Sequence, residues 1–557
     1  MEQASCETET YTKIREALVQ CMSVLALVCD VSILRIAWMA RSTEGLVSPW
    51  DVLPAAVLGA FCLSAFLIGY AAIQQDHESW LTRMAAVIHV GVWTGIGVIV
   101  YRYGFGFDQV LHQASERALR EQGSIHLPSV LYIGQYVLVA GLSWVTRIDT
   151  QIIDTCLAPG LFISGLFFLA HRLRAHRPWA VVACVMPLTL LNYGTFTVPW
   201  HVGMACVVWI MGLLAQESRS ERWGARVMAC VALSIHPLAG IPALMTTVRR
   251  WRLACAGIVL GIAGAMVWLI AHGRATWVGA SVEAWHEAWY AMMAHPYTAT
   301  LGWDVLSWIY RGWFVWPWIM TGIGIYGIRK YGTPHLTPLI GVLCGVSVSA
   351  WFLAGGVRFV DILPAEQFEF ALRLWRSAPI WVLPGILLVV DAWLQRRMIV
   401  VCVVGAVLAP IGWFLAYPQH NNIVPNVAPS IGESDVLIAH DIRRLIEDAH
   451  VHAFFAPQMV SAAYIREYGF GEQIQTVYGE RNVYALPTGG ELYGLYTELF
   501  SSTDTRAVAQ KMQQAVRTQP IALVIPRAWD AQNRLDTFFA AERISPVEQE
   551  YRVYVIR

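Results

Sequence analysis

Eleven runs of predominantly apolar residues, each close to the length of a bilayer crossing, punctuate the first 416 positions of this chain. They occupy 17–40, 52–73, 84–101, 152–170, 179–197, 199–215, 253–272, 303–327, 336–354, 377–394 and 398–416. About 20 residues at about 1.5 Å each cover about 30 Å of hydrocarbon, so each run is long enough to span as a helix. The chain therefore reads as a polytopic α-helical membrane protein with about eleven crossings. Its balance agrees, because 56% of residues are hydrophobic and 14% charged, against about 25% charged in ordinary soluble domains. The polar first 16 residues hold Lys13 and Arg15 and lack a small-residue cleavage site. The first run thus reads as an uncleaved span, not a signal peptide.

Charge placement sets the sidedness. The net charge is zero, which argues against nucleic acid as a partner. That zero is a cancellation: from Tyr417 onward 12 bases face 16 acids, which leaves 27 bases and 23 acids in the first 416 residues. Short cytoplasmic loops carry the Lys/Arg excess. With the N-terminus inside, cytoplasmic loops hold 16 bases and external loops before the tail hold 9.

Two further apolar stretches, 129–145 and 226–247, fit this arrangement only if they do not cross. Were 129–145 a span, Arg172, Arg174 and Arg177 would face outward; it reads as a stretch that dips and returns or lies in the interface. In 226–247 the sequence His236-Pro237-Leu238-Ala239-Gly240 sits at the middle. Pro and Gly break a helix there, which gives a re-entrant hairpin of two half-helices. The external segments are then 102–151, 273–302 and 355–376, followed by an outward domain at 417–557.

The first external segment predicts a helix from Asp108 to about Gln122, with Asp108, His112 and Glu116 at i, i+4 and i+8. Carboxylate and imidazole suit a general base or a divalent cation. The plain alternative is a helix cap at Asp108 and a surface pair between Glu116 and Arg120. In 355–376, Glu366 and Glu369 lie three apart, with Arg373 four beyond Glu369. Arginine holds phosphate oxygens bidentately, so Arg373, Arg358 and Arg376 are candidates to clamp an anionic lipid headgroup. A Glu369–Arg373 surface pair is the alternative.

The 25 tryptophans read mainly as interfacial anchors, with Trp303, Trp308, Trp313, Trp316 and Trp318 in one span and Trp277, Trp285 and Trp289 on an amphipathic stretch. Asp30, Arg35, His89, His236, Asp304, Arg311 and Asp391 are ionisable groups in apolar surroundings and functional candidates by default. Asp30 with Arg35, and Asp304 with Arg311, are candidate neutralising pairs. None of the 11 cysteines lies beyond 416 and no zinc-type spacing occurs. The tail alternates strand and helix signals, with strands at VHAFFA, IALVIP and YRVYVI and helices at QMVSAAYIREYGF, ELYGLYTELF, TDTRAVAQKMQQAVR and DAQNRLDTFFAAE. It reads as an α/β or α+β domain with its own core. The Thr488-Gly489-Gly490 turn is either plain or a backbone phosphate cradle.

An ordered set of motifs carries a resemblance: GFDQVLHQASERAL, LYIGQYVLVAGLSWVTRIDTQIID, TVPWHVG, IHPLAGIPAL, AEQFEFALRLW, PQMVSAAYIREYGF and ALPTGGELYGLY, between about 103 and 500. In this order they resemble the GT-C superfamily of membrane glycosyltransferases, specifically uncharacterised bacterial relatives with an extracytoplasmic C-terminal domain. The resemblance implies a polyprenyl-phosphate or polyprenyl-diphosphate sugar donor and a bacterial inner-membrane location. It implies that Asp108 is the catalytic acid or base, with His112 and Glu116 beside it. It also places Glu366 and Arg373, with Arg358, near the lipid phosphate. A divalent cation, Mg or Mn, on Asp108 and His112 is a further expectation. Two other classes remain open: a transporter, whose buried charges would converge at mid-depth, and a non-catalytic envelope protein with a partner-binding ectodomain.

Overall fold

Apolar runs of this length form helices because a helix closes its own backbone hydrogen bonds in lipid. The computed structural model describes residues 2–75, 78–106, 108–123, 132–189, 194–216, 218–279, 316–360, 367–417, 430–448, 450–485, 490–517, 520–527 and 550–556, together with 283, 286, 362, 535–536 and 541–542. In chain order α1 is Glu2–Met39, α2 Ala56–Ile73, α3 Trp80–Val100, α4 Asp108–Gln122, α5 Ile133–Thr146 and α6 Thr150–Arg172. They are followed by α7 Pro178–Thr189, α8 Pro199–Leu214, α9 Arg219–Ile235, α10 Pro237–Thr246 and α11 Trp251–Ala271.

Six helical segments are long and apolar enough to cross a membrane: Thr12–Met39, Ala56–Ile73, Trp80–Val100, Thr150–Arg172, Trp251–Ala271 and Pro334–Gly356. A pair bent by 40°, Glu369–Trp381 with Leu383–Arg396, adds a seventh if it is one span. The chain is a multi-pass membrane protein by these segments. Their outward sides carry exposed Trp38, Met39, Leu260 and Val267, side chains suited to lipid. The other four expected crossings are shorter or incompletely described. Two of them are α8 and Ile399–Leu415, apolar helices of fewer than 18 residues. The other two are α7, followed by the undescribed 190–193, and 303–327, described only from the helix Trp316–Tyr331. That helix crosses Leu383–Arg396 at backbone contact, since a Cβ on Gly327 would lie 2.0 Å from the Gly385 carbonyl oxygen.

The two stretches expected not to cross are a short helix and a broken pair of helices. α5 has 14 residues, about 21 Å at helical rise, and lies between α4 and α6. The second stretch is broken at His236, which ends α9 and precedes α10. Leu233 and Gly240 would be about 10 Å apart on a straight helix. Here a Cβ on Gly240 would sit 2.0 Å from Leu233 Cα, so α10 doubles back on α9. Gly203 of α8 presses on the same tip, where a Cβ would meet Ala239 Cβ at 2.8 Å.

The segments that follow α11 and the helix Pro338–Gly356 are joined by a short ladder: β1 (Ala275–Trp277) pairs antiparallel with β2 (Val357–Phe359). In the tail, β3 (Ala453–Phe455), β6 (Ile521–Pro526), β8 (Tyr551–Ile556) and β7 (Ala541–Glu542) form a sheet in the order β3-β6-β8-β7. β3 runs parallel to β6, and the other pairs are antiparallel. β4 (Gln473–Thr476) and β5 (Gly479–Asn482) form a separate hairpin. Helices Glu433–Glu447, Gln458–Tyr468, Glu491–Ser501 and Thr505–Val516 complete this α/β region. Ala541–Glu542 is a strand where DAQNRLDTFFAAE reads as the end of a helix; pairing with β8 overrides its local helix pattern. The Thr488–Gly489 part of the glycine turn lies outside the described residues.

Candidate functional site

α4 is a helix with three occupied faces. At 100° per residue Asp108, Leu111, His112 and Ser115 share one face, and all four line a cavity. Gln109, Gln113 and Glu116 point about a quarter-turn away, toward α5 and α6. Val110 and Ala114 pack into the core of the C-terminal domain. Arg117 fastens that side, its Nη1 donating to the Arg466 carbonyl at 3.2 Å, while the Arg466 guanidinium lies 4.8 Å from the centroid of the Tyr103 ring. The expected one-face stripe is therefore split, because eight residues advance a helix by about 80° beyond whole turns. Asp108 and His112 face the cavity; Glu116 does not.

The cavity holds about 590 Å³, room for a sugar phosphate. α4 and the segment around Tyr132 and Tyr136 form one wall. Phe196, Val198, Pro199, Trp200 and His201, at the start of α8, form a second, joined by His236 from the hairpin tip. Glu369, Phe370, Arg373 and Arg376 form a third. The C-terminal domain closes the fourth with Ile465, Phe470, Asn482 and Tyr484. The Tyr484 hydroxyl is buried without a partner among the described residues.

Arg373 is delivered by an eight-residue amphipathic helix, Glu369–Arg376, that buries Ala371, Leu372 and Leu374. Gln367 staples the loop before it: its side chain accepts from Phe359 N at 2.7 Å and donates to Phe359 O at 2.8 Å and Ile362 O at 2.7 Å. The expected Glu369–Arg373 pair exists, at a loose 3.9 Å. Arg373 therefore faces the cavity without being locked in a fork with a carboxylate. Arg358 does not line the cavity. Its Nη1 donates to the Ala354 and Val357 carbonyls at 3.2 and 3.1 Å, and its guanidinium stands over Phe368 at 5.0 Å. Glu366 lies outside the described residues.

The field in the cavity is set by burial and by Arg373. Asp108 lines the cavity; burial within the protein raises its pKa, which Arg373 partly offsets and Glu369 reinforces. Burial first, and Arg373 second, push His112 down to about 3, so its ring is neutral. His112 Nδ1 lies 2.8 Å from the Tyr136 hydroxyl, which fixes the ring plane. Tyr132 is raised by burial and by Asp108, with Arg373 opposing. The cavity thus brings together an acid, a guanidinium, a neutral imidazole and a phenol.

Behind α4 lies a sealed polar cluster that the sequence does not announce. Asp154 Oδ2 accepts from Gln109 Nε2 at 3.2 Å and from Gln113 Nε2 at 3.0 Å. Gln135 Nε2 donates to Glu116 Oε1 at 2.9 Å and to Asp154 Oδ1 at 3.1 Å. Burial, and then the charge of Asp154, push Glu116 well above the usual carboxylate range. Asp154 sits in an apolar run, and only the coincidence of Gln109, Gln113 and Gln135 on facing helices hints at it.

The remaining ionisable candidates resolve into structural pairs or fall outside the description. Asp30 does not pair with Arg35: five residues turn a helix by about 140°, and Arg35 is exposed. Asp30 instead meets His89 Nδ1 at 3.1 Å and the Ser64 hydroxyl at 2.8 Å, fully buried. Asp391 accepts from the backbone N–H of His176 at 3.1 Å. Asp304, Arg311, Trp285, Trp289, Trp303, Trp308 and Trp313 lie outside the described residues. Trp277 packs on Phe352.

Asp108 and His112 do not by themselves build a metal site. Among the described residues no three His, Cys, Asp or Glu side chains are placed to hold an ion, and His112 Nδ1 is taken by Tyr136.

No family model matches the sequence, and no curated protein matches it. Among solved structures the chain is similar to ArnT from Cupriavidus metallidurans in the apo state, with a TM-score of 0.39 and 12% identity. That likeness covers 90% of this chain and 98% of that one. It is also similar to ArnT from the same organism bound to undecaprenyl phosphate, with a TM-score of 0.36 and 13% identity over the same shares of the two chains.

Proposed function

We propose that the chain is an integral membrane glycosyltransferase that moves a sugar from a polyprenyl-phosphate or polyprenyl-diphosphate donor to an extracytoplasmic acceptor. The observation that carries this reading is the meeting of Asp108 and Arg373 in one cavity between the helical bundle and the C-terminal domain. A base and a phosphate-shaped cation within one field suit displacement at an anomeric carbon. Asp108 removes the proton of the acceptor hydroxyl as that oxygen attacks. The bond from the anomeric carbon to the phosphate oxygen breaks on the opposite side, with inversion. Arg373, with Arg376 at the rim, stabilises the charge that develops on the leaving phosphate. A carboxylate pKa raised by burial brings the base nearer the pH at which it works.

The charge asymmetry of the loops supports a cytoplasmic N-terminus and an outward cavity, and the resemblance of the motifs to bacterial enzymes supports an inner-membrane location. The donor's lipid then enters from the bilayer, and the acceptor arrives past the C-terminal domain. Mass spectrometry of lipid-linked sugars and envelope glycans, from cells with and without the gene, tests the reading. The expected result is loss of one glycosylated product with accumulation of its lipid-linked donor. Unchanged profiles of both would refute it.

A further inference from the structure

His236 is the one residue between α9 and α10, and it is 3% exposed. Its ring forms part of the cavity wall, yet both Nδ1 and Nε2 are buried without a hydrogen-bond partner among the described residues. Buried polar atoms are almost always matched, and an exception calls for a ligand or a role. The ring cannot turn away to find a partner inside the protein. It stacks on Tyr132 with centroids 5.4 Å apart and planes 25° apart, and Trp200 meets it edge-on at 5.2 Å. The backbone beneath is pinned by the contact of Gly240 with Leu233 and of Gly203 with Ala239. The missing partner must therefore come from the cavity.

The chemistry of the ring selects that partner. A neutral imidazole offers one N–H donor and one lone pair. Phosphoryl oxygens only accept and satisfy half of this. Hydroxyl groups both donate and accept. The surrounding wall of Tyr132, Trp200 and Phe196 is aromatic, with His112, His201 and Arg373 lining the same cavity, the mix of apolar surface and placed polar groups that fixes the orientation of a small ligand.

We infer that His236, at the tip of the re-entrant hairpin, hydrogen-bonds hydroxyl groups of the transferred sugar, with Tyr132 and Trp200 flanking the sugar ring, and so selects which sugar is moved. This rests on the transferase reading above and divides its cavity into a phosphate end at Arg373 and a sugar end at His236. Transfer involves no covalent step at His236; it is a specificity residue.

The experiment is calorimetric titration of the purified full chain in detergent with bare citronellyl phosphate, and with citronellyl phosphates bearing glucose, mannose, galactose or arabinose. In the natural chain at least one sugar-bearing probe binds about tenfold more tightly than the bare phosphate, the scale of one well-made hydrogen bond. His236→Ala removes that advantage and changes the affinity for the bare phosphate by less than about twofold. His236→Asn, which keeps a donor and an acceptor, restores part of it and guards against loss of fold in the alanine variant. The inference is overturned if no sugar-bearing probe gains over bare phosphate, if the gain survives in both variants, or if both weaken bare phosphate equally. Arg373→Ala separates the two levels: it weakens every probe, and if it weakens none the transferase reading itself fails.

Discussion

Glu116 on α4 and Asp154 on α6 are held together by a single side-chain amide, Gln135 Nε2, which donates to both at 2.9 and 3.1 Å. This arrangement fixes the helix that presents Asp108 and His112 without taking part in the cavity wall. Burial, and then the charge of Asp154, push the Glu116 carboxyl well above its ordinary range, which favours its protonated form in the folded chain.

Glu116→Gln keeps shape and neutrality and should leave the melting temperature of the detergent-solubilised protein nearly unchanged. Glu116→Ala strands buried polar groups and should cost about 1–3 kcal/mol. The sign of the pH effect follows from the raised value. The folded state holds a proton that the unfolded state releases, so the contribution of Glu116 is full below its unfolded pKa and is lost as pH rises toward the folded one. Melting curves from pH 4 to 8 should show this decline in the natural chain and a flatter profile in Glu116→Gln.

As the proposed general base, Asp108 acts only when deprotonated. Its pKa is raised chiefly by burial, so the acid limb of the transfer rate should lie above the ordinary carboxylate value of about 3.9. Arg373 lowers that pKa, and Arg373→Gln should therefore move the limb to higher pH as well as slow transfer. A limb that stays in place in Arg373→Gln would show that the two groups do not share a field.

His112 is held near a pKa of about 3 and is neutral throughout the working range. The pH–rate profile should show no inflection from it near 6.5, the ordinary histidine value. Tyr136→Phe removes the hydroxyl that lies against Nδ1 and should lower the rate without introducing such an inflection.

The hairpin depends on one missing Cβ. Gly240→Ala would set a methyl 2.0 Å from Leu233 Cα, against backbone that cannot yield as a flexible side chain would. The expected result is a fall in melting temperature and a loss of folded yield by size-exclusion chromatography. Gly264→Ala on α11, where a Cβ meets nothing within 4 Å, should be neutral.

Much of this was legible in the residues. Length and hydropathy give the long helices, and charge placement gives a short α5 and a break at His236, because Pro237 and Gly240 interrupt a pattern that hydropathy alone would run through. The helix of Asp108–Gln122 follows from local spacing, whereas singling out Asp108 and Arg373 took the resemblance, since their spacing alone reads equally as a helix cap and a surface pair. What spacing does not carry is rotation about a helix and partners across it. Glu116 drifts off the Asp108 face by about 80°, Asp154 is invisible inside an apolar run, and Asp30 finds His89 59 residues away. The wall contributed by Phe470, Asn482 and Tyr484 depends on how the C-terminal domain docks on α4, which no local pattern encodes.

The most direct test of the central claim uses cells lacking the gene, complemented with the natural chain or with Asp108→Asn at equal membrane abundance. Lipid-linked sugars and envelope glycans are compared by mass spectrometry. The account predicts that the natural chain restores a glycosylated product, whereas Asp108→Asn does not and leaves the polyprenyl-linked donor accumulated. Equal restoration of the product by both chains would contradict it.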